Sequence, residues 1–204
     1  MSETNANARL EAFCDGVFAI AITLLIIDIK IPPSEAVTST AGFWEALWRI
    51  APSIGTFLLS FAIILITWVN HHGMMKFVDK SSAPFIYANG LLLLTVVFIP
   101  FPTSLMGEYL LTDHASPAVI LLEVVLAVQS LGWIAVGSAA LKGHLEKNAH
   151  AAAQIRNNMK FGYYALVVYT VCAVIAVWFP LAIAIITTII WIFWLIFGLN
   201  LKEG

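Results

Sequence analysis

Apolar residues in this chain arrive in long runs rather than in strict alternation. Six runs reach the length of about 20 residues that a membrane-crossing helix needs: residues 10–31, 51–70, 85–106, 117–141, 161–179 and 181–199. They are too long, and too little alternating, for the strands of a membrane barrel. Pro84 stands just before the third run, where a helix start tolerates it. Pro180 joins the last two runs so closely that a helical hairpin is expected. The expected fold is all-α, with residues 1–204 forming a single six-helix transmembrane domain. Two longer connections break the series. In 32–50, Phe43, Trp44, Leu47, Trp48 and Ile50 fall near one helical face, which predicts a short amphipathic helix at the interface. Trp44 and Trp48 equally fit an aromatic belt, as do Trp68, Tyr87, Tyr109, Tyr163, Tyr164 and Trp178. Residues 142–160 are expected to be partly helical and to lie at the membrane surface.

Composition supports the membrane reading. Hydrophobic residues make up 61% of the 204 and charged residues 11%, where a soluble domain has about 45–50% and about 25%. Disorder needs the opposite balance. A net charge of −2 without a basic cluster speaks against nucleic acid as a partner. Membrane lipid is the expected surrounding. Cys14 and Cys172 both sit in apolar runs and give neither a disulfide framework nor zinc spacing. The segment before the first run contains Glu3 and no basic residue until Arg9, so a cleaved signal peptide is not expected.

Orientation follows from the distribution of Lys and Arg. With the N-terminus inside, the inner segments hold Arg9, Lys76, Lys80, Lys142, Lys147, Arg156, Lys160 and Lys202, and the outer ones only Lys30 and Arg49. Both termini are therefore predicted to be cytoplasmic.

Charge within a span is costly, so its position carries information. Spans two, three, five and six carry none in their apolar runs, and span four carries only Glu123, with no partner evident in the sequence. Span one begins at Arg9 and holds Glu11, Asp15 and Asp28, with Lys30 at its end. On a helix, Phe13, Gly16, Ile20, Leu24 and Ile27 form one apolar stripe with Thr23 beside it. Asp15, Ile22 and Ile29 form another, headed by a carboxylate that needs a partner. Ala12 with Gly16 and Ala19 with Thr23 have the small-residue spacing that permits close helix contact, a spacing also common without it.

The second polar group, Trp68, Asn70, His71 and His72, lies at the inner end of span two. Asp15 could meet an indole or imidazole N–H there, or the histidines could be simply interfacial. A shared metal is disfavoured, because neighbours on a helix point about 100° apart. The same divergence weakens Cys14 and Asp15 as a nucleophile and base, and leaves Cys14 as a small packed residue. No hydrolase, zinc, phosphate-loop or dinucleotide motif occurs, so an enzyme is not expected. No cofactor or metal is expected either.

The run Arg9-x-x-x-Phe13-Cys14-Asp15-Gly16-Val17-Phe18 resembles the first helix of the bacterial branch of the transmembrane protein 175 potassium channel family, which carries an Arg-x-x-x-Phe-Ser-Asp signature. Trp68-Val-Asn-His71-His72 and Pro100-Phe-Pro-Thr-Ser-Leu-Met-Gly-Glu108-Tyr109 match the same family in register. Position 14 departs from it, with Cys for the usual Ser, a weaker hydrogen-bond former. The resemblance implies a homotetramer with helix one around a central pore, and a potassium channel fold without the Thr-Val-Gly-Tyr-Gly filter. It maps the apolar constriction onto Ile20, Leu24 and Ile27, with Thr23 as a polar contribution. It maps the network orienting helix one onto Arg9, Phe13, Cys14, Asp15, Trp68 and His71 or His72. It implies a bacterial plasma-membrane channel permeable to potassium with modest selectivity. Asp28 and Glu108 would enrich cations at the outer mouth, or be ordinary solvated charges. The rival reading is a proton-coupled transporter using Asp15, Glu123 and the histidines, although broken helices and paired repeats are not evident.

Overall fold

A computed structural model describes residues 7–200. Lys202 and the extreme termini, and with them their expected cytoplasmic placement, lie outside that range. Among the described residues eight α-helices follow one another: α1 (Ala8–Leu24), α2 (Thr40–Arg49), α3 (Ala51–Met75), α4 (Ala83–Phe98), α5 (Pro100–Tyr109), α6 (Ala115–Lys142), α7 (Ala149–Ile175) and α8 (Pro180–Asn200). Among the described residues, five segments are long and apolar enough to cross a membrane: α1 with the 3-10 turn that follows it, α3, α4 and α5 together, α6, and α7. In α8 the described apolar stretch is shorter, Pro180–Phe193. The chain is an all-helical integral membrane protein.

Local chemistry explains where these elements differ from the apolar runs. The first span is α-helical only to Leu24 and tightens to a 3-10 turn over Leu25–Asp28 before the chain extends at Ile29. The third run was expected to be one helix over 85–106 but is interrupted at Ile99. Pro100 and Pro102 have no N–H to give and crowd the carbonyls four residues back. The segment 142–160 is partly helical as expected: Ala149–Lys160 forms the first turns of α7, which ends at Ile175 rather than at 179. Asn148 starts it, its side chain accepting from the Ala151 N–H at 2.8 Å. Ala151, Ala152 and Ile155 are buried there. The connection 32–50 does carry the expected short helix. In α2, capped by Ser39, Phe43, Trp44 and Trp48 are exposed while Leu47 is half-buried.

At the centre lies α6, which packs against α4, α5, α7 and α8. Half of its most apolar stretch is buried, against 22% for α1. Close approach depends on small residues. A Cβ on Gly132 would stand 3.1 Å from the Leu92 Cα on α4. Gly132→Val is therefore expected to push α6 off α4 and cost about 1–3 kcal/mol. It should lower the melting temperature of detergent-purified protein. Gly90→Ala, where nothing lies within 4 Å, should not lower it.

Candidate functional site

Helix α1 has three faces. Cys14, Phe18, Ala21 and Leu25 are buried against the body of the protein, where α1 meets α3 and α4. Of this packing face, sequence reasoning had singled out only Cys14. A second face holds the carboxylates Glu11 and Asp15, both half-buried. The third is open. Phe13 is 62% exposed, Ile20 60%, Leu24 52% and Ile27 70%. Nothing lies within 4 Å of where a Cβ on Gly16 would be. Ala12, Ala19 and Thr23 are exposed on the same side. A shallow apolar groove runs along this side, lined by Val17, Ile20, Ala21, Leu24, Val97 and Pro100. Thr23 donates its hydroxyl hydrogen back to the carbonyls of Ala19 and Ile20, at 2.9 and 3.0 Å. Only its oxygen lone pairs remain to face outward.

The carboxylate face is held by the inner end of α3. Trp68 donates its indole N–H to Asp15 Oδ1 at 2.9 Å. One turn away on both helices, His72 Nδ1 stands 3.2 Å from Glu11 Oε1, close but not aligned as a hydrogen bond. The Trp68 and His72 rings stack at 6.2 Å. The pairs are four residues apart on each helix and run in opposite directions. They thus fix the antiparallel register of α1 on α3 through residues that share a face. Arg9 is exposed and joins none of these contacts.

His71 belongs elsewhere. It is fully buried, its Nε2 lies 2.8 Å from Asn89 Oδ1 on α4, and its ring sits between Phe18 and Trp133. Asn89 in turn donates to the Phe85 carbonyl at 2.8 Å. Of the indole and imidazole partners expected for Asp15, it takes the Trp68 indole and neither histidine.

Glu123, without a partner in the sequence, has one in the fold. It is fully buried on α6 and its Oε1 accepts from the Thr187 hydroxyl on α8 at 2.6 Å. An uncompensated polar group in such a setting is costly. Glu123→Ala is expected to strand Thr187 and loosen α8, lowering the melting temperature. Glu123→Gln keeps an acceptor in place and should retain most of the stability.

These features define an all-helical membrane protein whose first span is pinned by polar contacts at one end and uncovered along one apolar face. A family model described as endosomal/lysosomal potassium channel TMEM175 matches residues 9–100, which hold α2, α3, α4 and all but the first residue of α1. A protein named as a potassium channel from Chamaesiphon minutus is 37% identical over 92% of this chain and 94% of its own. Another so named, from Streptomyces collinus, is 42% identical over 72% of this chain and 68% of its own. The crystal structure of a lysosomal potassium-selective channel TMEM175 homolog from Chamaesiphon minutus aligns with a TM-score of 0.80 at 33% identity. It covers 92% of this chain and 95% of that one. The chain belongs to the TMEM175 family.

Proposed function

We propose that the protein is a potassium-permeable cation channel of modest selectivity, formed by four copies with α1 of each around a central axis. The observation that carries this reading is the open apolar face of α1. Ile20, Leu24 and Ile27 are left uncovered by their own protomer, while the opposite side of the helix is tightly packed. Four such faces would meet as stacked apolar rings, a constriction that closes by dewetting and widens by small movements of the helices. No Thr-Val-Gly-Tyr-Gly segment is present to act as a filter. Discrimination then rests on pore diameter and on the lower cost of stripping water from potassium than from sodium. The outward lone pairs of Thr23 offset part of that cost.

Each copy is a single six-helix domain, with α8 as the sixth span. The bias of eight basic residues against two supports an orientation with both termini in the cytoplasm of a bacterial cell. Asp28 and Glu108, both exposed near the other end, attract cations to the outer mouth. Asp15, Trp68, Glu11 and His72 hold α1 in its angular setting, and Cys14 and Phe18 pack beneath it. The transporter reading loses ground, because Glu123 is tied to Thr187 and His71 to Asn89, away from Asp15's partner Trp68.

Bi-ionic recording from purified protein in planar bilayers tests the proposal. Potassium current with a reversal potential shifted moderately toward the potassium equilibrium is expected. Absence of potassium flux, or flux that saturates and follows a proton gradient, would overturn it.

A further inference from the structure

Helix α7 packs chiefly on α6, with a smaller contact to α8. Ile155 and Gly162 lie on the covered side, where a Cβ on Gly162 would stand 3.0 Å from Ile134 of α6. At about 100° per residue, Arg156, Lys160, Tyr163, Tyr164, Val167 and Val171 fall on the other side, and all six are exposed. The stripe changes character along its length. From Tyr163 onward it is aromatic and then aliphatic, and its first two members are cations one turn apart. From Arg156 to Ile175, where α7 ends, is about 28 Å at about 1.5 Å per residue. The hydrocarbon core of a bilayer is about 30 Å thick. Trp178 and Phe179 are exposed just beyond Ile175. With those aromatics at one interface, Arg156 lies at the opposite one and Lys160 about 6 Å inside it.

A charge at that depth needs a counter-charge, and the protein supplies none. Among the described residues neither cation joins an ion pair, and α7 holds no Asp or Glu. Like charges four apart on a helix repel, and the same spacing brings their heads close enough to grip one anion from two sides. Arg156 offers a planar fork of donors that matches a phosphate. Lys160 offers a charge on a stem long enough to rise to headgroup level. Tyr163 and Tyr164 lie about a turn deeper. Side chains on a helix lean toward its N-terminus, which here is the end that carries the cations. Lys76, Lys80, Lys142 and Lys147 differ, since they stand exposed at helix ends or in connections, where water serves them.

We propose that this stripe binds one anionic phospholipid of the inner leaflet, its phosphate held between Arg156 and Lys160 and its acyl chains lying along Tyr164, Val167 and Val171. A headgroup with a net negative charge, such as phosphatidylglycerol, relieves the repulsion between the two cations. A zwitterionic headgroup brings a positive charge of its own beside them and relieves it less. Placement in the inner leaflet rests on the cytoplasmic orientation proposed above, whereas binding does not depend on conduction. Helix α1 packs on α3 and α4, and α7 joins the body of the protein through α6. Copies gathered about α1 therefore carry α7 on the outside, against lipid.

The test uses the full chain in detergent. Native mass spectrometry counts bound lipids while phosphatidylglycerol or phosphatidylcholine of matched chains is added. Phosphatidylglycerol is expected to bind saturably and at least about tenfold more tightly. Arg156→Gln and Lys160→Gln should each weaken it about fivefold, and the double variant at least about tenfold. Both side chains are exposed, so the variants should melt at the parent's temperature in lipid-free detergent. Lys147→Gln, in the connection before α7, should bind like the parent. Equal binding of the two lipids, parent-like affinity in the double variant, or the same loss in Lys147→Gln would overturn the proposal. So would displacement by inorganic phosphate at the lipid's own concentration, which marks a site for the free anion. A disulfide between copies through Val167→Cys would overturn it too, by placing a second copy on this face. Selective binding to protein that carries no potassium flux would leave it standing while removing the channel reading.

Discussion

Ile20→Asn is expected to raise potassium current at least about tenfold in liposomes or planar bilayers. Ile20 is 60% exposed on α1 and is the ring position nearest the anchored end of the stripe. A branched apolar side chain there makes no hydrogen bond to water. In the proposed pore, a ring of four such side chains would therefore favour an empty constriction over a wet one. Asparagine has as many side-chain heavy atoms, is somewhat smaller, and carries two donors and a carbonyl acceptor. Water held at the ring lowers the barrier to a partly hydrated ion, and about 1.4 kcal/mol off that barrier is a factor of ten in rate. The folded protomer should tolerate the change, because the side chain is not packed within it. Selectivity should fall together with the rise in current, since an ion that keeps its water is poorly discriminated. Unchanged current in a correctly assembled Ile20→Asn protein would place the constriction elsewhere.

Asp15→Ala is expected to have the second largest effect, in the opposite direction. It removes the acceptor of the Trp68 indole N–H, 2.9 Å away. A hydrogen bond between helices in a membrane contributes about 0.6 kcal/mol on average and up to about 1.7. A charged acceptor belongs toward the upper end. The loss also leaves the indole N–H without its partner and removes one of two contacts that fix how α1 is turned. Current should drop and the oligomer should dissociate more readily, read by native mass spectrometry beside the recording. Asp15→Asn retains a carbonyl oxygen for Trp68 and should recover much of both. Oligomer mass and current equal to the parent's in Asp15→Ala would show that the contact does not orient the helix.

Span positions were legible in the sequence because twenty-residue apolar runs are a coarse and strong signal. Interruptions of those runs were less so. Pro100 and Pro102 were visible, yet their run kept its hydropathy through the break at Ile99, and hydropathy is blind to missing N–H groups. The start of α7 was missed for the reverse reason. Arg156 and Lys160 lower the apolar count over its first turns, while the cap at Asn148 marks the true beginning. A cap search would have found it.

The polar contacts divide in the same way. Asp15 announced its need for a partner because a charge in a span stands out, and an indole N–H was among the candidates. His71 with Asn89 and Glu123 with Thr187 could not be paired from the sequence. Asn89 and Thr187 are uncharged residues in apolar runs, and only the fold, which brings the inner end of α3 beside α4 and packs α8 on α6, sets them within reach. Glu11 and His72 were both visible, but their pairing needs the antiparallel register, and that register is set by Asp15 and Trp68.

The polar zipper between α1 and α3 has a mechanical corollary. A rod held near one end and seated at the other bends between its supports. At about 1.5 Å of rise per residue, Ile20 lies about 8 Å beyond Asp15, while the 3-10 turn that carries Ile27 rests on α3 and α5 with Leu25 buried. In the proposed pore, Ile20 and Leu24, between the two supports, would then have the most travel and Ile27 the least.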